Sequence, residues 1–139
     1  METLATVQTE KNISIVQNAY ADFAQGNIHA VADACTDNVI WGSFENKNVP
    51  YAGDFHGKQG VIDFFTTLAT NIDYLAFEPK QFFADADRVF VKGYHEGRVK
   101  STGKTFGHDF LMEFQLQNGR LNSFFAWVDT KDQSQAFNK

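Results

Sequence analysis

Residues 106–117 read FGHDFLMEFQLQ, and their alternation decides the fold. Phe106, His108, Phe110, Met112, Phe114 and Leu116 recur at strict period two, so the segment is a strand whose one face is apolar and carries a single imidazole. Working outward, residues 88–99 and 121–128 alternate in the same way. The turns Ser101-Thr102-Gly103-Lys104 and Asn118-Gly119 join the three segments into a meander. Asn-Gly is the strongest short hairpin signal, because both residues tolerate the positive φ that a tight turn requires.

Upstream the period changes. Ile13, Val16, Tyr20 and Phe23 form a helical stripe that Gly26 ends, and Asn27 starts a second helix carrying Ile28, Val31, Ala32 and Cys35. Asp37-Asn38 closes that helix before the short strand Val39-Ile40-Trp41. A long loop over 42–57 follows, then a third helix from about Lys58 with Val61, Ile62, Phe64, Phe65, Leu68 and Ile72. Residues 75–84 are extended but contain Pro79, which places them at a sheet edge or on a bulge, since proline donates nothing to a ladder. Residues 1–10 are expected to be flexible, 11–130 to form one domain, and 131–139 to be a loose polar tail.

The chain has 139 residues, 43% of them hydrophobic, which suits one α+β domain with its own core and no second one. Fifteen phenylalanines against two prolines is a large aromatic load, enough to line a cavity as well as fill a core. The net charge of −5, without any Lys/Arg run, excludes nucleic acid as an expected partner. No apolar run approaches the length of a membrane span, so no membrane contact is expected. The lone cysteine, Cys35, forms no internal disulfide and fits a reducing cytoplasm; in its apolar setting it is an inert thiol. Phosphate loops, nucleophile elbows and dinucleotide fingerprints are absent, and no cofactor is expected. His29, His56, His95 and His108 lack metal-ligand spacing, so no metal is expected either.

In order and spacing, the pieces Gly26-Asn27-Ile28, Asp37-Asn38-Val39, Gly53-Asp54-Phe55-His56-Gly57, Phe77-Glu78-Pro79 and Trp127-Val128-Asp129-Thr130 resemble the nuclear transport factor 2-like superfamily. Within it the chain resembles the SnoaL-like, ketosteroid-isomerase-related proteins. The resemblance implies a cone, also described as a cystatin-like α+β barrel, in which a curved mixed or antiparallel sheet wraps three helices. It also implies a pocket on the concave face and a homodimer through the sheet. It does not imply one reaction, because the fold hosts several. The resemblance matches the positions of the steroid-isomerase base and oxyanion hole to Ser43 (or, one residue away, Gly42), Ala19 and Met112. None can do that chemistry, so steroid-type isomerisation is disfavoured.

His108 is the replacement candidate for acid/base work, with His95 on the neighbouring strand as a second imidazole. Parity leaves open which face of that neighbouring strand is concave. Tyr20, Trp41, Ser43, Tyr51, Phe64, Phe65, Phe110, Met112, Phe125 and Trp127 are expected to line the pocket around a small apolar or cyclic organic ligand. Asp129 is expected to tie down the end of the last strand. Leu111, Phe124 and Val128 are assigned to the outer, dimer-forming face. Two functional readings stay open: an isomerase, cyclase or lyase working by proton transfer, and a small-ligand binder without catalysis.

Overall fold

The computed structural model describes residues 4–139 and contains helices α1 (Leu4–Ala24), α2 (Ile28–Asp33), α3 (Gly57–Asn71) and α4 (Thr130–Phe137). The strands are β1 (Cys35–Ser43), β2 (Asp54–His56), β3 (Ile72–Asp85), β4 (Arg88–Val99), β5 (Thr105–Gln117) and β6 (Arg120–Trp127). All six belong to one sheet in the order β2-β1-β6-β5-β4-β3, in which only β1 and β6 are parallel. The result is an α+β cone: a curved, unclosed sheet with helices against its concave face. Strand β3 is an edge, and its register slips between Pro79 and Gln81, which is how the chain accommodates a proline there.

Four expectations are corrected. Residues 1–10 were expected to be flexible, yet α1 already runs from Leu4, because neither glycine nor proline interrupts the chain before Gly26; residues 1–3 lie outside the described residues. The helix also has a tertiary anchor near its start, since Asn12 is buried and donates from Nδ2 to the Ala86 carbonyl in the β3–β4 turn. Cys35 belongs to β1 and not to the helix before it; α2 ends at Asp33, and β1 runs straight through Asp37-Asn38.

The tail is the third correction, because residues 130–137 are helical. Asp129 accepts a hydrogen bond from the Asp132 amide and so caps α4. Gln133 and Ala136 are buried, and Phe137 packs beside Tyr51. Thr102 Oγ1 donates to the Ala136 carbonyl, while Asn46 and Asn48 hold Thr130, Ser134 and Asn138 from the β1–β2 loop.

The fourth correction concerns β6. Leu116 pairs with Leu121 but Gln115 pairs with Ser123, so Asn122 is an extra residue in a bulge. One inserted residue exchanges the two faces of everything after it. Phe124, Ala126 and Val128 therefore point into the cone, whereas Phe125 and Trp127 point out.

Candidate functional site

Strands β4 and β5 present a symmetrical pattern on the concave face. Gly93, His95 and Gly97 lie opposite Phe110, His108 and Phe106 respectively. A β-carbon on Gly93 would stand 2.5 Å from the Phe110 ring, and one on Gly97 would stand 2.6 Å from the Phe106 ring. The glycines thus let two phenylalanine rings lie down on β4 on either side of His95. Tyr74 from β3 stacks on the same imidazole, with ring centroids 5.9 Å apart. Enclosed in this way, His95 is only 2% exposed.

Its imidazole has one partner. His95 Nε2 lies 2.9 Å from His108 Nε2, and His108 Nδ1 lies 2.8 Å from Asp132 Oδ2 in the first turn of α4. The same Asp132 oxygen accepts the Gly107 amide, at 3.1 Å. Among the described residues, no group bonds to His95 Nδ1. Burial first, and the neighbouring His108 second, lower the His95 pKa to about 3, so the ring is neutral over the ordinary range.

His95 is part of the wall of a cavity between the concave face, α1, α3, the β1–β2 loop and α4. The cavity has a volume of about 70 Å³, above the roughly 10–15 Å³ that a cavity needs to admit one water. Of the expected lining residues, Tyr20, Trp41, Ser43, Tyr51, Phe64, Phe65 and Met112 are there. Three others are not. Phe110 is buried between Gly93 and His95, and the Asn122 bulge turns Phe125 and Trp127 outward against Phe44.

His108 stands behind His95 rather than in the wall, and Phe124, assigned to the outer face, stacks on Trp41 with centroids 4.3 Å apart. The sequence reading also missed Tyr74, Phe77, Gln133 and Asp132. The residues that set the imidazole pair were nevertheless visible, as the glycines of Gly93-Tyr94-His95-Glu96-Gly97 facing the phenylalanines of Phe106-Gly107-His108-Asp109-Phe110.

Two more polar atoms in this wall have no partner among the described residues: Trp41 Nε1, which can only donate, and the Tyr51 hydroxyl. Burial, then proximity to Tyr74, raises the Tyr51 pKa, so it is a neutral phenol. Each such unpaired group costs about 1–3 kcal/mol until something bonds to it. Tyr20, in contrast, is satisfied within the wall, because its hydroxyl donates to Met112 Sδ at 3.0 Å.

Among the described residues, no carboxylate lines the cavity and no three metal-ligating side chains converge. Burial raises the Cys35 thiol to about 11 against a smaller opposing effect of Lys58, and its Sγ donates to the Val31 carbonyl. It has the character of a structural thiol. Among the described residues no helix is long and apolar enough to cross a membrane.

Comparison with known proteins agrees with this architecture. A family model described as the SnoaL-like domain matches residues 16–124. An NTF2-like protein of Burkholderia xenovorans LB400 superposes with a TM-score of 0.86 at 25% identity, over 94% of this chain and 98% of that one. TerC, co-crystallised with polyporic acid, gives 0.78 at 22% identity over 93% and 99%. Bal32a, from a soil-derived mobile gene cassette, gives 0.76 at 19% identity over 94% and 98%. No curated protein sequence matches the chain. The matched region runs from α1 into β6, most of the chain, and on that ground the chain belongs to the SnoaL-like domain family of the NTF2-like superfamily.

Proposed function

We propose that this protein is a proton-transfer enzyme, an isomerase, cyclase or lyase, acting on a small, uncharged, largely apolar organic molecule in the cavity. The observation that carries this reading is His95 Nδ1: a neutral imidazole nitrogen, buried in an apolar wall, with no protein partner and with its other nitrogen fixed. Such an atom accepts a proton from an acidic C–H or O–H of a bound molecule and returns it elsewhere. Trp41 Nε1–H and the Tyr51 hydroxyl supply donors in the same wall for an oxygen that gains charge in that step. The ligand of TerC supports an organic molecule as the occupant. Lone, buried Cys35 fits a reducing compartment, and we place the protein in the cytoplasm.

The test is hydrogen–deuterium exchange. Small neutral cyclic ketones are first screened for those that raise the melting temperature, since a ligand of the native state stabilises it. The hits are then incubated with the protein in D₂O and followed by proton NMR. Loss of the signals next to the carbonyl is expected, slowed by about 100-fold or more in His95→Gln, the usual scale of general-base catalysis. Hits that bind and never exchange would establish the non-catalytic binder instead.

Assembly is proposed on a separate observation. Ile40, Phe44, Leu111 and Trp127 are 38–50% exposed on the outer side of the sheet, and Phe44, Phe125 and Trp127 contact one another there. This face, without Phe124 and Val128, suits an isologous contact between two copies of the chain. Light scattering should give twice 15.7 kDa for the wild type and the single mass for Trp127→Glu. A wild-type monomer at micromolar concentration would show the face to be solvated.

A further inference from the structure

We infer that Asp132, His108 and His95 form a proton relay in which a proton taken up from the cavity comes to rest on the second imidazole, not on the first. This relay serves the proton transfer proposed above and rests on that reading for its use, while its own test needs no ligand. The starting point is Asp132 Oδ2. As a carboxylate oxygen, which also takes the Gly107 amide, it can only accept, so the hydrogen in its 2.8 Å contact with His108 belongs to His108 Nδ1. A neutral His108 then has a bare Nε2, which can only accept. The 2.9 Å contact between the rings thus takes its hydrogen from His95 Nε2. His95 is left with a bare Nδ1 toward the cavity, the atom that has no protein partner.

Uptake of a proton reverses the contact between the two rings and leaves the His108–Asp132 bond as it was. The ligand's C–H or O–H bond breaks and an N–H bond forms at His95 Nδ1; the His95 Nε2–H bond breaks and an N–H bond forms at His108 Nε2. His95 ends neutral and now donates toward the cavity. His108 ends as an imidazolium paired with the Asp132 carboxylate, and the ligand holds the balancing negative charge. Return of the proton runs the same bonds backward. The buried ring exchanges tautomers without ever holding a charge, which removes the main obstacle to a base so thoroughly desolvated. Asp132 touches neither cavity nor ligand and is a positioning residue; its place at the start of α4, fixed by the Asp129 cap, makes the C-terminal helix part of the site.

The titratable groups packed on the pair are Asp132 from α4 and Tyr74 from β3. Tyr94 and Glu96 approach Gly107 from the other face of the sheet, where Asp109 also lies by strand alternation.

The experiment is long-range ¹H–¹⁵N NMR of the ¹⁵N-labelled ligand-free protein, which reads the protonation of each imidazole nitrogen. At about pH 9, above the ordinary imidazole pKa, His95 should show Nε2–H with bare Nδ1, and His108 should show Nδ1–H with bare Nε2. On acidification, the first proton should convert His108 to imidazolium while His95 stays neutral and switches to Nδ1–H. Asp132→Ala keeps the backbone amide that Asp129 caps, and should leave both rings as tautomer mixtures; Asp132→Glu should restore the order. His95 already carrying Nδ1–H at about pH 9 would overturn the relay. So would a His95 that gains a second proton together with His108, or a folded Asp132→Ala with both tautomers unchanged. The titration of the wild type alone decides the matter if the variant does not fold.

Discussion

Between about pH 6.5 and 5 the wild-type protein should lose about 2 kcal/mol of stability that His95→Gln does not lose. The His95 pKa is about 3 in the folded chain, against the ordinary imidazole value of 6.5. In the window between them the unfolded chain binds a proton that the folded chain refuses. Stability therefore falls as pH falls through that window, is fully present above 6.5, and changes no further on this account below 3. Carboxylates begin to titrate under about pH 5, so the upper part of the window is where the imidazole can be isolated. Urea denaturation at pH 6.5 and pH 5, in both proteins, measures it. Equal losses in wild type and variant would mean that folded His95 takes up its proton near the ordinary value, and the picture of a desolvated ring would fail.

Phe110→Ala should cost about 3–5 kcal/mol, the usual range for emptying a buried aromatic site. Phe110 is 2% exposed, stacks on Phe77 at 5.3 Å, and lies over the bare backbone of Gly93. Its neighbours are held by β-ladder on both sides and cannot collapse into the gap. Denaturant midpoints give the number directly. A loss under about 1 kcal/mol would show that the site relaxes, and that Gly93 is not needed to make room for a ring.

Most of the architecture was legible because its period is simple. Strand β4 has the bounds that alternation assigns to it, and β5 and β6 differ by one residue at their ends, since each turn between them has its own chemistry: Asn118 and Gly119 both adopt positive φ, at 51° and 78°. What alternation does not convey is a break in its own count. Asn122 is an ordinary polar residue in an ordinary place, and nothing local marks it as supernumerary. The extra position shows only in the pairing, where both ladders of β6, the parallel one to β1 and the antiparallel one to β5, slip at this point. Every misassigned aromatic of that strand, Phe124, Phe125 and Trp127, follows from this one residue.

Helix α4 was missed for a different reason. Its eight residues are mostly polar and bury only a narrow strip, so no hydrophobic period announces it. Asp129, at the end of a strand by alternation, is the cap of the following helix. With the helix went Asp132, and with Asp132 the third member of the imidazole chain. The histidine pair itself was visible as two residues of neighbouring strands, but its orientation was not, because both faces of β4 carry apolar side chains. The glycines flanking His95 settle the orientation physically: only that face has the space to accept rings from β5.

The two tryptophans divide the molecule between them. Trp41 is buried against Phe124 in the cavity wall, and Trp127 is 44% exposed on the outer side of the sheet. As fluorophores they see different events: a molecule entering the cone alters the emission of the first, whereas a collisional quencher such as iodide reaches only the second. With Trp127 replaced by phenylalanine the emission becomes an optical titration of the cavity; with Trp41 replaced it becomes a gauge of what covers the sheet. The chain thus carries separate built-in reporters for its interior and its exterior, with no label to attach.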